Sequence, residues 1–470
     1  MRSPLLPLAA LAMLSACAIR GGPDLDQGAI PAAPDGWSSW QYSSTTGPDS
    51  ANIPAINTSG WVTEFGDPDL EAAIREAFAQ NRNLLSVLAQ LRAARAAMRV
   101  SRADLFPRVD LSGTVTDAEN AATVYDGEFS ASWEADIWGR NLSLARTGSA
   151  DAKAAAAEFA AARQALAASV TQAWYDRSAA RISLALASDD LDRRKDTLRI
   201  TDARFRAGLA SRLDVRLAQV AVSNSEDRLE AATRTSRNAA RTLEVLTGNY
   251  PSGEALGADD LIVPAALPVV AAPVAVLSGR PDLIAAEARV DAAGLRATDA
   301  RHAMFPQLTL RFDATTRSGS FSDLFDPGTY IDAISAGLLQ PLFRGGALLA
   351  EAERQGELAR SALFAYAEQV LAAFQEVEDR LDAEATLERQ VTATAEAAEE
   401  ARAAVGLTRS RYINGRSTIF DLINAQTTAI AAETRAIEAR RARIENRVNL
   451  HLALGNEPFP ATAAQQLVAR

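Results

Sequence analysis

The chain has 470 residues, with 48 Lys and Arg against 59 Asp and Glu, for a formal net charge of −11. That length allows two or three domains, and the acidic balance argues against a nucleic-acid partner. A single Cys (Cys17) and two His (His302 and His451) leave no intramolecular disulfide and no Cys-rich zinc site. There is no Ser/His/Asp set, P-loop or glycine-rich nucleotide fingerprint either, so the chain reads as something other than an enzyme.

The first 17 residues, MRSPLLPLAALAMLSAC, place one Arg before an apolar run and small residues before the Cys. This predicts an export signal over 1–16, too short to span a bilayer. Leu14-Ser15-Ala16-Cys17 resembles the bacterial lipoprotein box, in which the Cys is acylated and becomes the new N-terminus; an ordinary signal peptide with a chance Cys is the alternative. Acyl chains anchor without spanning, at about 0.8 kcal/mol per buried methylene. Ala18 follows, where an Asp would in many Gram-negative bacteria retain the protein at the inner membrane. Delivery to the outer membrane is therefore expected. Residues 17–60 are rich in Gly, Pro, Ser and Asn and predict an extended tether. Trp37, Trp40 and Trp61 are expected to pin it to the body.

Asp67-Pro68 predicts a helix start, since Asp suits an N-cap and Pro the first helical position. Leu70, Ile74, Ala77 and Phe78 follow at helical spacing, and the helix is expected to reach about Asp104, with Phe106-Pro107 ending it. The period then becomes two. Val109, Leu111, Gly113 and Val115 alternate with polar residues, as do Phe129, Ala131, Trp133, Ala135 and Ile137. These are two strands of a hairpin. Leu308, Leu310 and Phe312 repeat the pattern, and a further strand of less clear facing is expected over 329–339. Four strands cannot close a barrel, and a sheet in lipid must close. Either several chains share one barrel or the sheet is soluble with one wet face.

Each hairpin leads into a Pro-free helical region, predicted over about 142–205 and 346–412. At 1.5 Å per residue the first would be about 95 Å long. Leu184, Leu191, Leu198 and Phe205 recur every seven residues, the coiled-coil spacing. Arg204 to Asp214 (RFRAGLASRLD) and Arg411 to Asp421 (RYINGRSTIFD) then mark where each long helix turns back, with Gly208 and Gly415 as C-terminal caps. The two stretches lie 207 residues apart, as do Gly248 and Gly455, which end the returning helices; Phe106-Pro107 and Phe305-Pro306 lie 199 apart. The chain is a tandem duplication. Between the copies, residues 261–278 are almost wholly apolar, but Pro264, Pro268 and Pro273 rule out a spanning helix. The domains are therefore 1–16 signal, 17–60 tether, 61–250 first repeat, 251–279 connector, 280–457 second repeat and 458–470 tail.

This order of elements resembles the TolC-type outer-membrane factors, the exit ducts of Gram-negative efflux and secretion machines. The resemblance covers about residues 61–457. It is carried by Phe65, Asp67, Pro68, Leu70, Asn81 and Leu84; by Asp136-Ile137-Trp138-Gly139-Arg140; by Leu246-Thr247-Gly248-Asn249; by Arg280-Pro281-Asp282-Leu283; and by Pro341-Leu342-Phe343-Arg344-Gly345-Gly346. The lipobox and the Arg-Pro-Asp-Leu segment look most like the NodT branch, lipoproteins paired with resistance-nodulation-division (RND) pumps.

The resemblance implies a mostly α fold with a membrane β-barrel: a duplicated α-β-β-α-α repeat in a homotrimer. Its twelve-stranded barrel, four strands per chain, would stand in the outer membrane and continue as a long α-helical periplasmic barrel. It implies a periplasmic adaptor and an inner-membrane RND pump as partners, drug-like solutes as cargo, and no cofactor beyond a diacylglycerol and an N-acyl (palmitate) chain on Cys17. It also implies a periplasmic gate at the returning turns. Tyr412 matches the family's tethering tyrosine, Asp214 its first-repeat partner, and Asp421 a carboxylate ring at the constriction. Two positions depart from the pattern. The tethering arginine would fall at Ser417, with Arg416 adjacent, and a second aspartate ring would fall at Asn424. Less negative charge and a rewired tether are therefore expected. A ring of Asp attracts cations, but a carboxylate at a helix start is also favoured by the macrodipole, and the two roles can coexist. The same duct serving protein secretion or metal export, and a pore-less lipid-anchored periplasmic scaffold, are the alternatives.

Overall fold

A computed structural model of the chain describes residues 29–34, 36–39, 60–264, 270 and 272–460. The signal peptide, Cys17, Trp40 and Pro268 lie outside them. The chain divides into two compact units. One holds Ala89–Glu158 and Asp282–Val370; the other holds the described residues of Ala32–Leu88, Phe159–Pro281 and Leu371–Arg470.

In chain order, a short 3-10 turn (Trp61–Phe65) leads to α1 (Pro68–Gln80) and α2 (Arg82–Ala103), then β1 (Arg108–Thr116), β2 (Val124–Ala135), α3 (Arg140–Arg206) and α4 (Arg212–Thr247). The connector holds α5 (Pro273–Gly279), and the second copy has α6 (Pro281–His302), β3 (Gln307–Ser318), β4 (Ile331–Leu339), α7 (Ala347–Ile413) and α8 (Ile419–Ala453). The duplication is explicit: α3 and α7 both have 67 residues, about 100 Å each at 1.5 Å per residue.

The expected start at Asp67 is built as a cap. Its Oδ1 accepts from the amides of Asp69 and Leu70, both at 3.0 Å. The single helix expected from there to Asp104 is instead two, because Asn81 leaves the helical region (φ −62°, ψ 119°). Its Oδ1 accepts from the Leu84 amide and its Nδ2 donates to the Leu246 carbonyl. The Asn thus restarts a helix while pinning it to the end of α4, an instance of the local side-chain bonding that competes with helix continuation.

The sheet runs β1-β2-β3-β4, antiparallel throughout. β2 starts earlier than expected and stops at Ala135, because the Asp136 carboxylate turns to receive the amides of Asn141 and Leu142 at the head of α3. Ile137 and Trp138 are thereby drawn out of the strand. The register places Val109, Leu111, Val115, Tyr125, Phe129, Ala131, Trp133, Leu310, Phe312, Ile334 and Leu338 on one face. Asp110, Ser112, Glu128, Ser130, Thr309, Arg311 and Asp313 lie on the other. β4, whose facing the sequence left open, adds Ile334, Ala336 and Leu338 to the apolar face and places Ile331, Ala333 and Leu339 on the other. On the polar face Arg311 pairs with both Asp313 and Glu128. Every residue of β1 and β4, the two sheet edges, is exposed.

The core of the other unit gathers Trp61, Leu70, Ile74, Val170, Trp174, Tyr175, Leu243 and Val448. Trp61 is fully buried and stacks on His451 at 5.4 Å, and Trp37 is buried against Phe374 and Val276, as the pinning expectation requires of those two. In the connector, Leu261 and Val276 are buried, and Pro273 opens the seven-residue α5. The Glu244 carboxylate accepts from Ser252 Oγ and the amides of Gly253, Glu254 and Ala255, so the chain leaving α4 is folded around one anion.

The heptad expected on α3 is only partly the buried row. Leu191 is buried, but Leu184, Leu198 and Phe205 are half-buried. The buried positions between them are Ala187 and four polar residues, Asp190, Arg194, Thr197 and Thr201. α3 turns a polar ladder inward, because partners on α4, α7 and α8 satisfy each of those groups.

Candidate functional site at the returning turns

The two turns are built alike. Gly208 (φ 75°) and Gly415 (φ 72°) occupy the left-handed region that L side chains enter only at a cost. In each, the glycine amide and the next amide close the helix end: Gly208 N donates to Phe205 O and Leu209 N to Arg204 O, while Gly415 N donates to Tyr412 O and Arg416 N to Arg411 O. This is the Schellman arrangement that satisfies otherwise orphaned carbonyls.

The returning helices start with matching capping boxes. At α4, the Ser211 amide donates to Asp214 Oδ2 at 2.8 Å and the Asp214 amide to Ser211 Oγ at 3.1 Å. At α8, Asp421 Oδ2 accepts from the Thr418 amide at 2.9 Å, the Thr418 hydroxyl at 2.7 Å and the Ser417 hydroxyl at 3.1 Å, while the Asp421 amide donates to Thr418 Oγ1. The Thr418 amide, then the two hydroxyls, hold the Asp421 carboxyl below the usual carboxylate range. Both acids thus serve as caps, and Asp421 remains exposed on the first turn of its helix.

Tyr412 is 4% exposed, packed with Ile419, Leu422, Ile200 and Leu217. Its hydroxyl pairs with Thr201 Oγ1 at 2.9 Å. Arg204 lies over its ring, 5.0 Å from the centroid, and Nη1 donates to the carbonyls of Tyr412 at 2.9 Å and Ile413 at 2.8 Å. One guanidinium from the first repeat therefore caps the last turn of α7, where the dipole favours a cation, and covers the tyrosine. The structure joins Tyr412 to Thr201 and Arg204, while Asp214 is engaged at its own cap. Arg416 and Asn424 are exposed, Asn424 one turn beyond Asp421 on α8.

The ladder continues away from the turns. Gln426 Nε2 donates to Thr197 Oγ1, Arg409 pairs with Asp196, and Asp190 accepts from Arg194, Ser225 and Arg228. Burial alone would push the Asp190 carboxyl up, but Ser225, Arg194 and Arg228 outweigh it and hold it below its ordinary range. Further along, the buried Arg447 on α8 meets Glu384 on α7 at 2.6 Å. Arg204, Thr201, Thr197 and Gln426 were not singled out as site residues from the sequence. The Thr197/Thr201 spacing of one helical turn was visible, but nothing local indicates a partner more than 200 positions away.

A chain of this architecture carries paired caps and an interlock between its two copies at the ends of its longest helices. The comparisons with known proteins agree with that construction. The chain matches the outer membrane efflux protein family over residues 73–249 and 272–456, and it belongs to that family. It is similar to the pyoverdine export outer membrane protein OpmQ of Pseudomonas aeruginosa, 29% identical over 468 residues, covering 95% of this chain and 96% of that protein. It is similar to the outer membrane protein OprJ of the same organism, 29% identical over 472 residues, covering 97% and 96%. Among solved structures, a membrane protein from Pseudomonas aeruginosa superposes with a TM-score of 0.78 at 29% identity, covering 90% of this chain and 98% of that one. The Campylobacter jejuni CmeC outer membrane channel superposes with a TM-score of 0.84 at 18% identity, covering 96% and 98%; that likeness is one of fold.

Proposed function

We propose that this chain is the passive exit duct of a tripartite RND-type efflux system, conducting drug-like solutes from the periplasm to the outside. The observation that carries this reading is the four-stranded sheet with two open edges, apolar on one face and charged on the other. In lipid an open edge is unsatisfied, so such a sheet spans only when copies close it edge to edge; three copies of four strands give the twelve-stranded barrel of a homotrimer. The apolar face then meets lipid, the polar face lines the pore, and no chemical step is asked of any residue. A periplasmic adaptor and an inner-membrane pump supply the coupling and the energy, and acyl chains on Cys17 add an anchor in the outer membrane.

The interlock at the returning turns is the natural gate. Tyr412, held by Thr201 and Arg204, ties α7 to α3. Asp421, repeated by symmetry, puts a carboxylate ring at the constriction, with Asp214, Arg416 and Asn424 around it. The test is single-channel recording of the full-length, lipidated protein in a planar bilayer. Small cation-selective steps are expected. Failure of the folded, lipidated protein to insert would overturn the duct and favour a scaffold.

A further inference from the structure

The β3–β4 connection is not a free loop. Two 3-10 turns, Phe321–Phe325 and Pro327–Thr329, fold it back onto the sheet. Tyr330 Oη donates to Leu324 O at 2.7 Å, Thr329 Oγ1 donates to Asp323 O at 2.7 Å, Thr316 Oγ1 donates to Thr329 Oγ1, and Ser318 donates to the Asp323 carboxylate. The side on which it folds is set by Gly127. A Cβ there would sit 3.0 Å from Leu324 Cδ2 and 3.1 Å from Thr316 Cγ2 and Tyr330 Oη. Gly127 belongs to the row of Tyr125, Phe129 and Trp133, so the loop lies on the apolar face and not over the polar one.

Two rings are left facing outward by this packing. Phe321 stacks edge-on against Tyr125 at 5.7 Å and Phe325 against Phe321 at 5.4 Å, yet they are 57% and 73% exposed. They stand at the level where the apolar face gives way to Thr316, Ser318 and Asp332. At the opposite end of β2, Trp133 and Trp138 remain partly exposed while donating to the carbonyls of Leu105 and Pro306. Tyr125 and Trp133 are eight residues apart on one strand, about 27 Å along it at roughly 3.4 Å per residue; at the roughly 35–45° tilt of barrel strands that is about 19–22 Å along the membrane normal, most of the apolar band of about 25 Å in an outer-membrane barrel. Aromatic rings suit the boundary of such a band, where one end is apolar and the other wet.

We propose that the β3–β4 loop is an interfacial anchor, folded outward so that Phe321 and Phe325 sit in the lipid headgroup layer at the rim of the sheet far from the helices. The partner is the membrane surface itself, reached by continuity with the apolar face. The proposal rests on the reading that this sheet spans the membrane, and the test separates the two.

Because Cys17 is the only cysteine, an introduced thiol can carry a nitroxide label, with the unsubstituted, acylated chain as the blank. Phe325→Cys, Leu111→Cys and Ala121→Cys are labelled in full-length protein in phospholipid vesicles. Collision with oxygen, which favours lipid, is compared with collision with a water-soluble nickel chelate. The expected oxygen-to-chelate ratio is highest at Leu111, lowest at Ala121 in the other hairpin turn, and intermediate at Phe325, several-fold above Ala121. Adding Gly127→Leu to Phe325→Cys should displace the loop and bring the ratio down to that of Ala121. A label at Phe325 as wet as at Ala121, with Leu111 dry, would overturn the anchor alone. A wet Leu111 would overturn the spanning sheet and the anchor with it.

Discussion

At Tyr412 one hydroxyl joins two copies of a duplicated unit, and its contribution can be read. Thr201 Oγ1 also donates to the Thr197 carbonyl at 2.8 Å, so Tyr412→Phe removes a single bond without orphaning the threonine. A loss of about 1 kcal/mol is expected in chemical denaturation, together with larger single-channel conductance as the interlock loosens. The same stability loss with unchanged conductance would make Tyr412 a packing residue and no gate. Asp421 is a different case, because the feature that fixes it also keeps it charged. The Thr418 amide and the Thr418 and Ser417 hydroxyls stabilise the carboxylate form, so its pKa falls on folding. A lowered pKa means the negative charge is present above the ordinary carboxylate range and is lost only as pH falls through the depressed value. Cation selectivity of the open channel should therefore persist through the pH range where a free aspartate titrates, and Asp421→Ala should weaken it at neutral pH. Reversal potentials across a salt gradient, measured against pH, check both; identical reversal potentials in the variant and the parent would remove Asp421 from the constriction.

Between elements, glycines with the same dihedral sign do different jobs. Gly208 sits at φ 75° with open space where a Cβ would go, whereas Gly248 sits at φ 85° with Gln80 Cβ at 2.8 Å and its carbonyl at 2.9 Å. Gly208→Ala carries only the left-handed backbone cost, about 1–2 kcal/mol. Gly248→Ala carries that cost and must also push α1 away, so its midpoint in urea should fall further; equal shifts would mean that α1 yields freely at Gln80. These turns were legible in the sequence because the residues that set them, Arg204 to Asp214 and Arg411 to Asp421, are adjacent in the chain and repeated. So were the ends of α3 and α7, which fall within a few residues of expectation, since Asp136 and the two glycine turns act locally. The break at Asn81 was not legible. An Asn inside an apolar-periodic run reads as a helix interior until Leu246, 165 residues away, is known to receive its side chain. The polar ladder on α3 escaped for the same reason. A heptad of Leu and Phe favours an apolar seam, and it is partners on other helices, Ser225 and Arg228 for Asp190, Gln426 for Thr197 and Tyr412 for Thr201, that make these groups tolerable inside.

For the molecule as a whole, the decisive question is which face of the sheet meets lipid, and one pair of neighbouring residues answers it. Leu111 and Ser112 are consecutive in the middle of β1, opposite Phe129 and Glu128, and therefore point to opposite faces. Both are exposed in the single chain, so burial within the chain does not separate them; only what surrounds the sheet on each face does. An arginine near the midplane of a barrel's lipid face costs about 2–4 kcal/mol, while a lumen position tolerates charge and tunes selectivity. Leu111→Arg should accordingly reduce the fraction of protein recovered as a membrane-inserted oligomer. Ser112→Arg should insert normally and shift the open channel toward anions, since it places a cation among Asp110, Glu128 and Ser130 on the polar wall. Recovery from outer-membrane fractions and reversal potentials measure the two effects separately. If Ser112→Arg is the variant that fails to insert, the sheet is inverted relative to the proposal; if neither is impaired, lipid touches neither face and the four strands form a soluble sheet. The open edges of β1 and β4 make that last outcome the least expected, because such long strands with exposed apolar residues would pair indiscriminately in water, whereas the proposed closure with further copies would protect them.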